Sequence, residues 1–266
     1  MALYTEVHGE GAAGAPSVLL SSGLGGSANF WKPQIPALVQ AGLRVVAYDQ
    51  RGTGRSPGEL PADYSIAHMA LDVLEVMDAT GTSSCILAGH ALGGLVGLQL
   101  ALEAPVRVAG LVLVNAWSRP NAHSARCFDA RVALLDAYGP AAYAQAQPIF
   151  LYPAAWCLAH QEQVDAEVAH SIAHFPPVAN MKARIAALRA FDVDSRLGEI
   201  RVPALVAACK DDVLVPWTMS QRLSEGLPEA SLWCMEEGGH AHSATCAGTF
   251  TAGLIRFLLS HLSRKA

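Results

Sequence analysis

Three short segments, each directly after an apolar run, hold the residues best able to do chemistry. The first is Gly89-His90-Ala91-Leu92-Gly93, the second contains Asp211 and Asp212, and the third is Gly238-Gly239-His240. A histidine held by a carboxylate is a general base that can activate water or a hydroxyl group. The order along the chain, glycine-framed turn, then acid, then histidine, is typical of hydrolytic enzymes. We therefore predict hydrolysis, with His240 as the base and Asp212 as its partner.

The first segment has the glycine spacing of a nucleophile-bearing turn but lacks the nucleophile. Gly89 and Gly93 frame the turn, because a tight strand-to-helix turn leaves no room for a Cβ beside the neighbouring backbone. The central position, which holds serine, cysteine or aspartate in such turns, is Ala91. Alanine can form no acyl- or carbamoyl-enzyme, so covalent catalysis at this residue is excluded. We predict that His240 instead deprotonates a water molecule beside Ala91.

Each of these assignments has a rival. Asp211 competes with Asp212 as the partner of the histidine, and either carboxylate could simply cap the following helix. His242 competes less strongly with His240. Both histidines and Asp212 could also hold a metal ion, but their spacing matches no H-x-x-x-H helix or three-ligand zinc site. We expect neither a metal nor another cofactor.

A glycine-rich loop at residues 22–27 follows the apolar run at 17–21. It lacks the Lys-Ser/Thr of a phosphate-binding P-loop, and GxGG alone is a weak signal. In a hydrolase, such a loop lends a backbone N–H group to an oxyanion hole. We predict Leu24 as this donor and Leu92 as the second, and we expect Ala91 and His90 to complete the substrate-binding set.

The segments that must position these loops alternate between strand-like and helix-like patterns. Continuous apolar runs predict buried strands at 17–21, 44–48, 85–88, 108–115, 203–208 and 231–235. Apolar strands that alternate with amphipathic helices indicate a mostly parallel sheet covered on both faces. Between 117 and 190, alanine, histidine and aromatic residues recur at helical spacing between proline and glycine breaks. We predict an α/β core, residues 1–116 and 191–266, with a helical cap inserted at 117–190.

Composition and charge exclude several classes of protein. The 266 residues are 52% hydrophobic and 15% charged, which suits one domain with a large core rather than a disordered chain. The net charge of −5 gives no reason to expect nucleic-acid binding. No run approaches the roughly 20 apolar residues of a membrane span. The first residues resemble no signal peptide and the six cysteines are scattered, so we expect the cytoplasm.

Segments of both the core and the cap resemble those of one enzyme family. The core segments are 22–27, 48–54, 89–93 and 238–241, and the more specific cap segments are 121–123, 146–154 and 173–175. Together they are similar to the RutD family of the α/β-hydrolases. The resemblance implies an α/β-hydrolase fold. It also implies hydrolysis, in pyrimidine (uracil) degradation, of carbamate or a 3-aminoacrylate-type intermediate, at a C–N bond other than a peptide bond.

Catalysis without a nucleophile suits only a labile substrate. General-base catalysis typically supplies about 10²–10⁴-fold, which is adequate for a carbamate or an enamine that also breaks down unaided. Two alternatives stay open: a non-catalytic protein that binds or protects a reactive intermediate, and a cofactor-free lyase or isomerase with proton transfer by His240. For partners we expect a small-molecule substrate and neither nucleic acid nor a membrane, while a homodimer formed through the apolar cap stays open.

Overall fold

A seven-stranded sheet forms the centre of the protein, as seen in a computed structural model that describes residues 2–262. The strands are β1 (Thr5–His8), β2 (Ser17–Ser21), β3 (Val45–Tyr48), β4 (Cys85–His90), β5 (Val108–Val114), β6 (Ala204–Cys209) and β7 (Ala230–Met235). Their order across the sheet is β1-β3-β2-β4-β5-β6-β7. Only β1 is antiparallel to its neighbour, and the remaining strands pair in parallel. The predicted mostly parallel α/β sheet is thus confirmed.

Helices cover both faces of this sheet. They are α1 (Ile35–Gln40), α2 (Ile66–Ala79), α3 (Leu92–Glu103), α4 (Ala122–Leu151), α5 (Ala154–Ala159), α6 (Gln161–Ala173), α7 (Val178–Ala190), α8 (Trp217–Gly226), α9 (His242–Thr245) and α10 (Ala247–Leu262). Strand β2 shows why: Leu19 packs into one apolar cluster, and Val18 and Leu20 pack into the other. Since neighbouring side chains of a strand point to opposite faces, a strand apolar throughout requires cover on both sides.

Four helices, α4 to α7, lie in the chain between β5 and β6 and form the cap. Helix α4 is kinked at Gly139, whose φ of 79° is not helical, and Pro140 starts its second part. Helix α7 is tied to the core by Asn180, whose Nδ2 donates to the carbonyl oxygens of Gly52 (3.2 Å) and Gly58 (2.8 Å). The cap therefore packs on loops at the carboxyl edge of the sheet, which is where ligands bind in such folds.

The sequence pattern did not predict strand β1. Its residues, Thr5 to His8, alternate only weakly and are mostly half-buried, because β1 lies at the edge of the sheet. An edge strand carries no continuous apolar run and so gives little signal. Within residues 2–262, no helix combines the length and the apolar character that crossing a membrane requires.

The turn between β4 and α3 is the tightest part of the fold. Its central residue, Ala91, has φ 46° and ψ −109°, a backbone conformation that residues with a Cβ rarely adopt. A Cβ on Gly93 would lie 2.2 Å from the carbonyl oxygen of Ser21, and one on Gly89 would lie 2.3 Å from the carbonyl carbon of Gly93. The glycines are required because backbone meets backbone here, as the sequence predicted.

Substitution of Gly93 by alanine tests this packing. We expect Gly93→Ala to lower the free energy of unfolding by about 3 kcal/mol or more, because the new methyl group would meet the backbone of β2, which cannot move aside. Gly248→Ala is the matched control, since a Cβ there meets open space in the first turn of α10. Its stability should be unchanged or raised by up to about 1 kcal/mol. Urea unfolding measures both, and equal stability of the two variants would contradict the argument.

Candidate active site

The structure brings His240 and Asp212 together. The Nδ1 of His240 lies 2.8 Å from Oδ2 of Asp212, and both side chains are buried. The other carboxylate oxygen, Oδ1, accepts the backbone N–H groups of Leu214 (2.8 Å) and Val215 (2.9 Å). A carboxylate fixed in this way holds the proton on Nδ1 and leaves Nε2 as the acceptor atom. Nε2 has no hydrogen-bond partner among the described residues.

Asn115 links the acid to the histidine loop, and the sequence reasoning missed it. Its Nδ2 lies 2.8 Å from Oδ2 of Asp212 and 2.8 Å from the carbonyl oxygen of His240. The residue ends the apolar run of β5 and has φ 50°, which asparagine tolerates better than most residues. A lone polar residue at the carboxyl end of a buried strand was the signal that could have found it.

Asp211, the alternative partner for the histidine, forms hydrogen bonds with the backbone instead. Its carboxylate accepts the N–H groups of Gly239 (2.8 Å) and Gly238 (3.2 Å) and the thiol of Cys209 (2.9 Å). Burial favours the neutral acid, but these hydrogen bonds outweigh it and lower the pKa of Asp211. Asp211 therefore shapes the turn that precedes His240, while Asp212 contacts the imidazole.

His90 packs directly against His240. Its Nε2 donates to the carbonyl oxygen of His240 at 2.8 Å, and its ring stacks on Phe30 at 4.5 Å between ring centroids. Burial, and secondarily the nearby imidazole of His240, lowers the pKa of His90 well below its usual value. His90 is therefore neutral, and its Nδ1, which is buried, has no partner among the described residues.

The two predicted oxyanion donors lie beside the turn. Leu92 is the first residue of α3, so its N–H has no partner within the helix. The carbonyl oxygen of Leu24 accepts from Nη2 (3.1 Å) and Nε (3.3 Å) of Arg184, a fully buried residue of the cap. Arg184 also contacts the side-chain oxygen of Gln50. These contacts fix the glycine-rich loop from its carbonyl side and leave the N–H of Leu24 without an acceptor among the described residues.

A cavity of about 780 Å³ joins these groups. Its core side is lined by all the predicted substrate-binding residues, Leu24, His90, Ala91 and Leu92, and by His240. The cap supplies the other wall, including Phe128, Arg131, Tyr143 and Gln147. Asp212 does not line the cavity, which fits a residue that acts through the histidine.

His242, the weaker candidate for the base, is placed elsewhere. It is completely buried and packs edge-on against Phe250, and neither ring nitrogen has a hydrogen-bond partner within residues 2–262. Burial lowers its pKa to about 4. Within residues 2–262, no cluster of three or more His, Cys, Asp or Glu residues is arranged to hold a metal ion.

Burial of neutral His242 predicts a pH-dependent stability. Between its usual pKa of 6.5 and the lowered pKa of about 4, the unfolded chain binds a proton that the folded chain excludes. Stability should therefore fall as the pH drops through this window, by up to about 3 kcal/mol from His242. His242→Phe should flatten the dependence in urea unfolding between pH 7 and 4.5. An unchanged slope in this variant would show that His242 is not the source.

The chain is similar in sequence to a family model and to individual known proteins. Residues 16–155 match the family model for the alpha/beta hydrolase fold. A protein of Variovorax paradoxus (strain S110), named "Putative carbamate hydrolase RutD", is 66% identical over 258 residues, which cover 97% of this chain and 96% of the relative. A protein of the same name from Agrobacterium fabrum (strain C58) is 52% identical, with 97% and 98% coverage.

Solved structures show the same architecture. The enol-lactonase from Burkholderia xenovorans LB400 superposes with a TM-score of 0.87 at 25% identity and covers 97% of this chain and 96% of its own. A hydrolase from Pseudomonas aeruginosa PA01 gives 0.85 at 28% identity, with 96% and 94% coverage. These similarities extend over the sheet, the cap and the histidine loop together.

Proposed function

This chain belongs to the RutD family of the α/β-hydrolases, and we propose that it hydrolyses a C–N bond in a small intermediate of uracil degradation. The candidate substrates are carbamate and a 3-aminoacrylate-type enamine. The relatives' name supports the first, and both are labile molecules that need only modest acceleration.

One observation carries the proposal: an oriented acid–histidine pair faces the cavity beside an alanine turn. Asp212 holds Nδ1 of His240, and Nε2 has no partner among the described residues. A module that only binds a ligand needs no carboxylate to orient an imidazole. Because Ala91 offers no nucleophilic atom, the group that His240 deprotonates is a water molecule.

For carbamate, the reaction is addition of water to the carboxyl carbon. Nε2 of His240 takes one proton from water as the oxygen bonds to carbon, and the N–H groups of Leu24 and Leu92 stabilise the developing negative charge. His240 then returns the proton to the nitrogen as the C–N bond breaks. Ammonia and bicarbonate leave, and the imidazole is neutral again.

For 3-aminoacrylate, proton transfer precedes hydrolysis. A proton moves from nitrogen to the carbon next to the carboxylate and converts the enamine into an imine. Water then adds to the imine carbon while His240 takes a proton from it and passes that proton to the nitrogen. The C–N bond of this adduct breaks as the hydroxyl proton moves to the nitrogen, which releases ammonia and 3-oxopropanoate and leaves His240 neutral. The same base serves both steps.

Substitution of the pair tests the proposal. The wild-type protein should accelerate the decay of at least one of the two substrates. His240→Ala and Asp212→Asn should lower the acceleration by about 10²–10⁴-fold, since the base is lost or held in the wrong tautomer. His160→Ala removes an exposed imidazole from the cap and should change nothing. Ammonia release, followed against the uncatalysed rate, measures all four proteins.

Other outcomes point to other functions. Decay unchanged by the wild-type protein would overturn hydrolysis, and decay slowed by stoichiometric protein would indicate a protective binding role. Equal acceleration by the wild type and His240→Ala would show that the histidine is not the base.

Restoring a hydroxyl at the turn tests the alignment of the site. Ala91→Ser should react with a fluorophosphonate probe, because Oγ would lie between His240 and the two oxyanion donors. The wild type should not be labelled at this residue, and the double variant Ala91→Ser/His240→Ala should be labelled at least about 100-fold more slowly. Intact-protein mass spectrometry measures the adduct. A folded Ala91→Ser variant that takes no label would contradict the alignment.

A further inference from the structure

Arg131 of helix α4 is a buried cation in the cavity wall. Only 2% of its surface is exposed, and it lies in the part of the cap that faces the active site. Its Nη2 donates to the phenol oxygen of Tyr143 (2.5 Å) and to Oε1 of Gln147 (2.6 Å). Its Nε is buried and donates to no described residue. No carboxylate in residues 2–262 forms an ion pair with it.

Burial of this charge costs free energy in the protein without a ligand. A buried charge normally has a partner of opposite sign, because removal from water is expensive. Burial holds the pKa of Arg131 below its usual range, but a guanidinium stays charged in proteins. The rings of Phe128, Tyr143 and Phe150, at 5.2, 4.9 and 5.6 Å from the guanidinium carbon, offset only part of the cost.

The rest of the cavity also favours an anion. The protein carries a net charge of −5, yet three cations line the cavity: Lys32, Arg55 and Arg131. Arg55 is paired with Asp49, the carboxylate in the lining, and with Glu6, so Lys32 and Arg131 are the lining cations without a carboxylate partner among the described residues. An anionic ligand therefore meets positive potential inside an acidic protein.

The second buried arginine of the cap explains why Arg131 is the one to consider. Arg184 donates to the carbonyl oxygen of Leu24 and to Gln50, and it does not line the cavity. Its Nη1, like the Nε of Arg131, has no acceptor among the described residues, but Arg184 lies outside the cavity lining. Arg131 lines the cavity and its Nε has no acceptor, so its hydrogen bonding is incomplete without a ligand.

We propose that Arg131 binds the carboxylate of a small organic acid and so anchors the substrate in the cavity, with Tyr143 and Gln147 fixing the guanidinium. This rests on the proposed function. A cavity of about 780 Å³ is far larger than a molecule of a few atoms, so shape alone cannot position such a substrate. A fixed guanidinium can, because the N–H groups that Tyr143 and Gln147 leave free can form charge-assisted hydrogen bonds with a carboxylate.

The anchor distinguishes the two candidate substrates. In carbamate the carboxyl carbon is itself the reacting atom. In 3-aminoacrylate the carboxylate is separated by one carbon from the carbon that loses nitrogen. The proposed anchor on the cap and the base on the core act on different ends of such a molecule, and both line the same cavity. The substrate class is therefore a short acid whose C–N bond lies away from its carboxylate.

Binding of a stable analogue tests the anchor apart from catalysis. Propanoate and its neutral counterpart propanamide have the same shape and differ in charge. The wild type should bind propanoate more tightly, and Arg131→Met should weaken propanoate by roughly 10- to 100-fold, the loss expected for charge-assisted hydrogen bonds. Propanamide binding should not change. Ligand-observed NMR titration measures these affinities in the millimolar range.

Two controls separate the anchor from general effects of charge and folding. Arg126→Met removes a cation from the exposed side of the same helix and should bind propanoate like the wild type. Arg131→Met should stay folded, with a melting temperature equal to or above that of the wild type, because an apolar side chain of similar size replaces an unpaired buried charge. Arg131→Lys, which keeps the charge but loses the planar fork, should bind propanoate with intermediate affinity.

The outcomes are distinct from those of the catalytic test. His240→Ala should bind propanoate like the wild type while losing hydrolysis. Propanoate binding that depends on Arg131, in a protein that accelerates neither substrate, would overturn the proposed hydrolysis and leave the anchor standing. Equal affinity of the wild type and Arg131→Met for propanoate, or no binding by the wild type, would overturn the anchor.

Discussion

The close approach of backbone to backbone at the turn from β4 to α3 is the constraint on which the site depends. Gly93 packs against the carbonyl oxygen of Ser21, so α3 begins directly beside the end of β2. That contact places the N–H of Leu92 next to the glycine-rich loop and holds Ala91 at its unusual φ of 46°. Such a conformation costs of order 1–3 kcal/mol and persists only where the surroundings enforce it. The turn keeps this geometry without a nucleophile, which agrees with the proposal that its backbone N–H groups are the part used in catalysis.

Charge is distributed unevenly around this turn. On the core side, burial lowers the pKa values of His90 and His242 and keeps both neutral, while His240 is oriented by Asp212 and lines the cavity. On the cap side, the guanidinium of Arg131 is charged and lacks a carboxylate partner among the described residues. The core therefore provides the proton acceptor and the cap provides the positive charge. A reaction that consumes water on an anion needs both.

Local patterns in the sequence were enough to predict the sheet and most residues of the candidate site. Continuous apolar runs gave the parallel strands, and the glycine, acid and histidine loops gave His240 and Asp212 because their spacing relates directly to their chemistry. The sequence pattern did not indicate a role for Asn115, Arg131 or Arg184, and the reason is physical. An arginine on a helix is normally solvated. Contacts within the cap surround Arg131, and contacts with the core surround Arg184, so only the tertiary structure buries them. The sequence could not decide between Asp211 and Asp212 either. The decision depends on which carboxylate accepts the N–H groups of Gly238 and Gly239, and the structure shows that this is Asp211.

Asn115 has a consequence for motion. Its amide bonds the Asp212 carboxylate and the His240 carbonyl oxygen at once, so loops that follow β5, β6 and β7 are joined into one rigid unit. We expect the acid and the base to move together, so that the distance between them stays nearly constant. We expect adjustment to ligands of different size in the cap, whose helix α4 is interrupted at Gly139. Under the proposed function, the core would then determine which bond reacts and the cap would determine which molecules reach it.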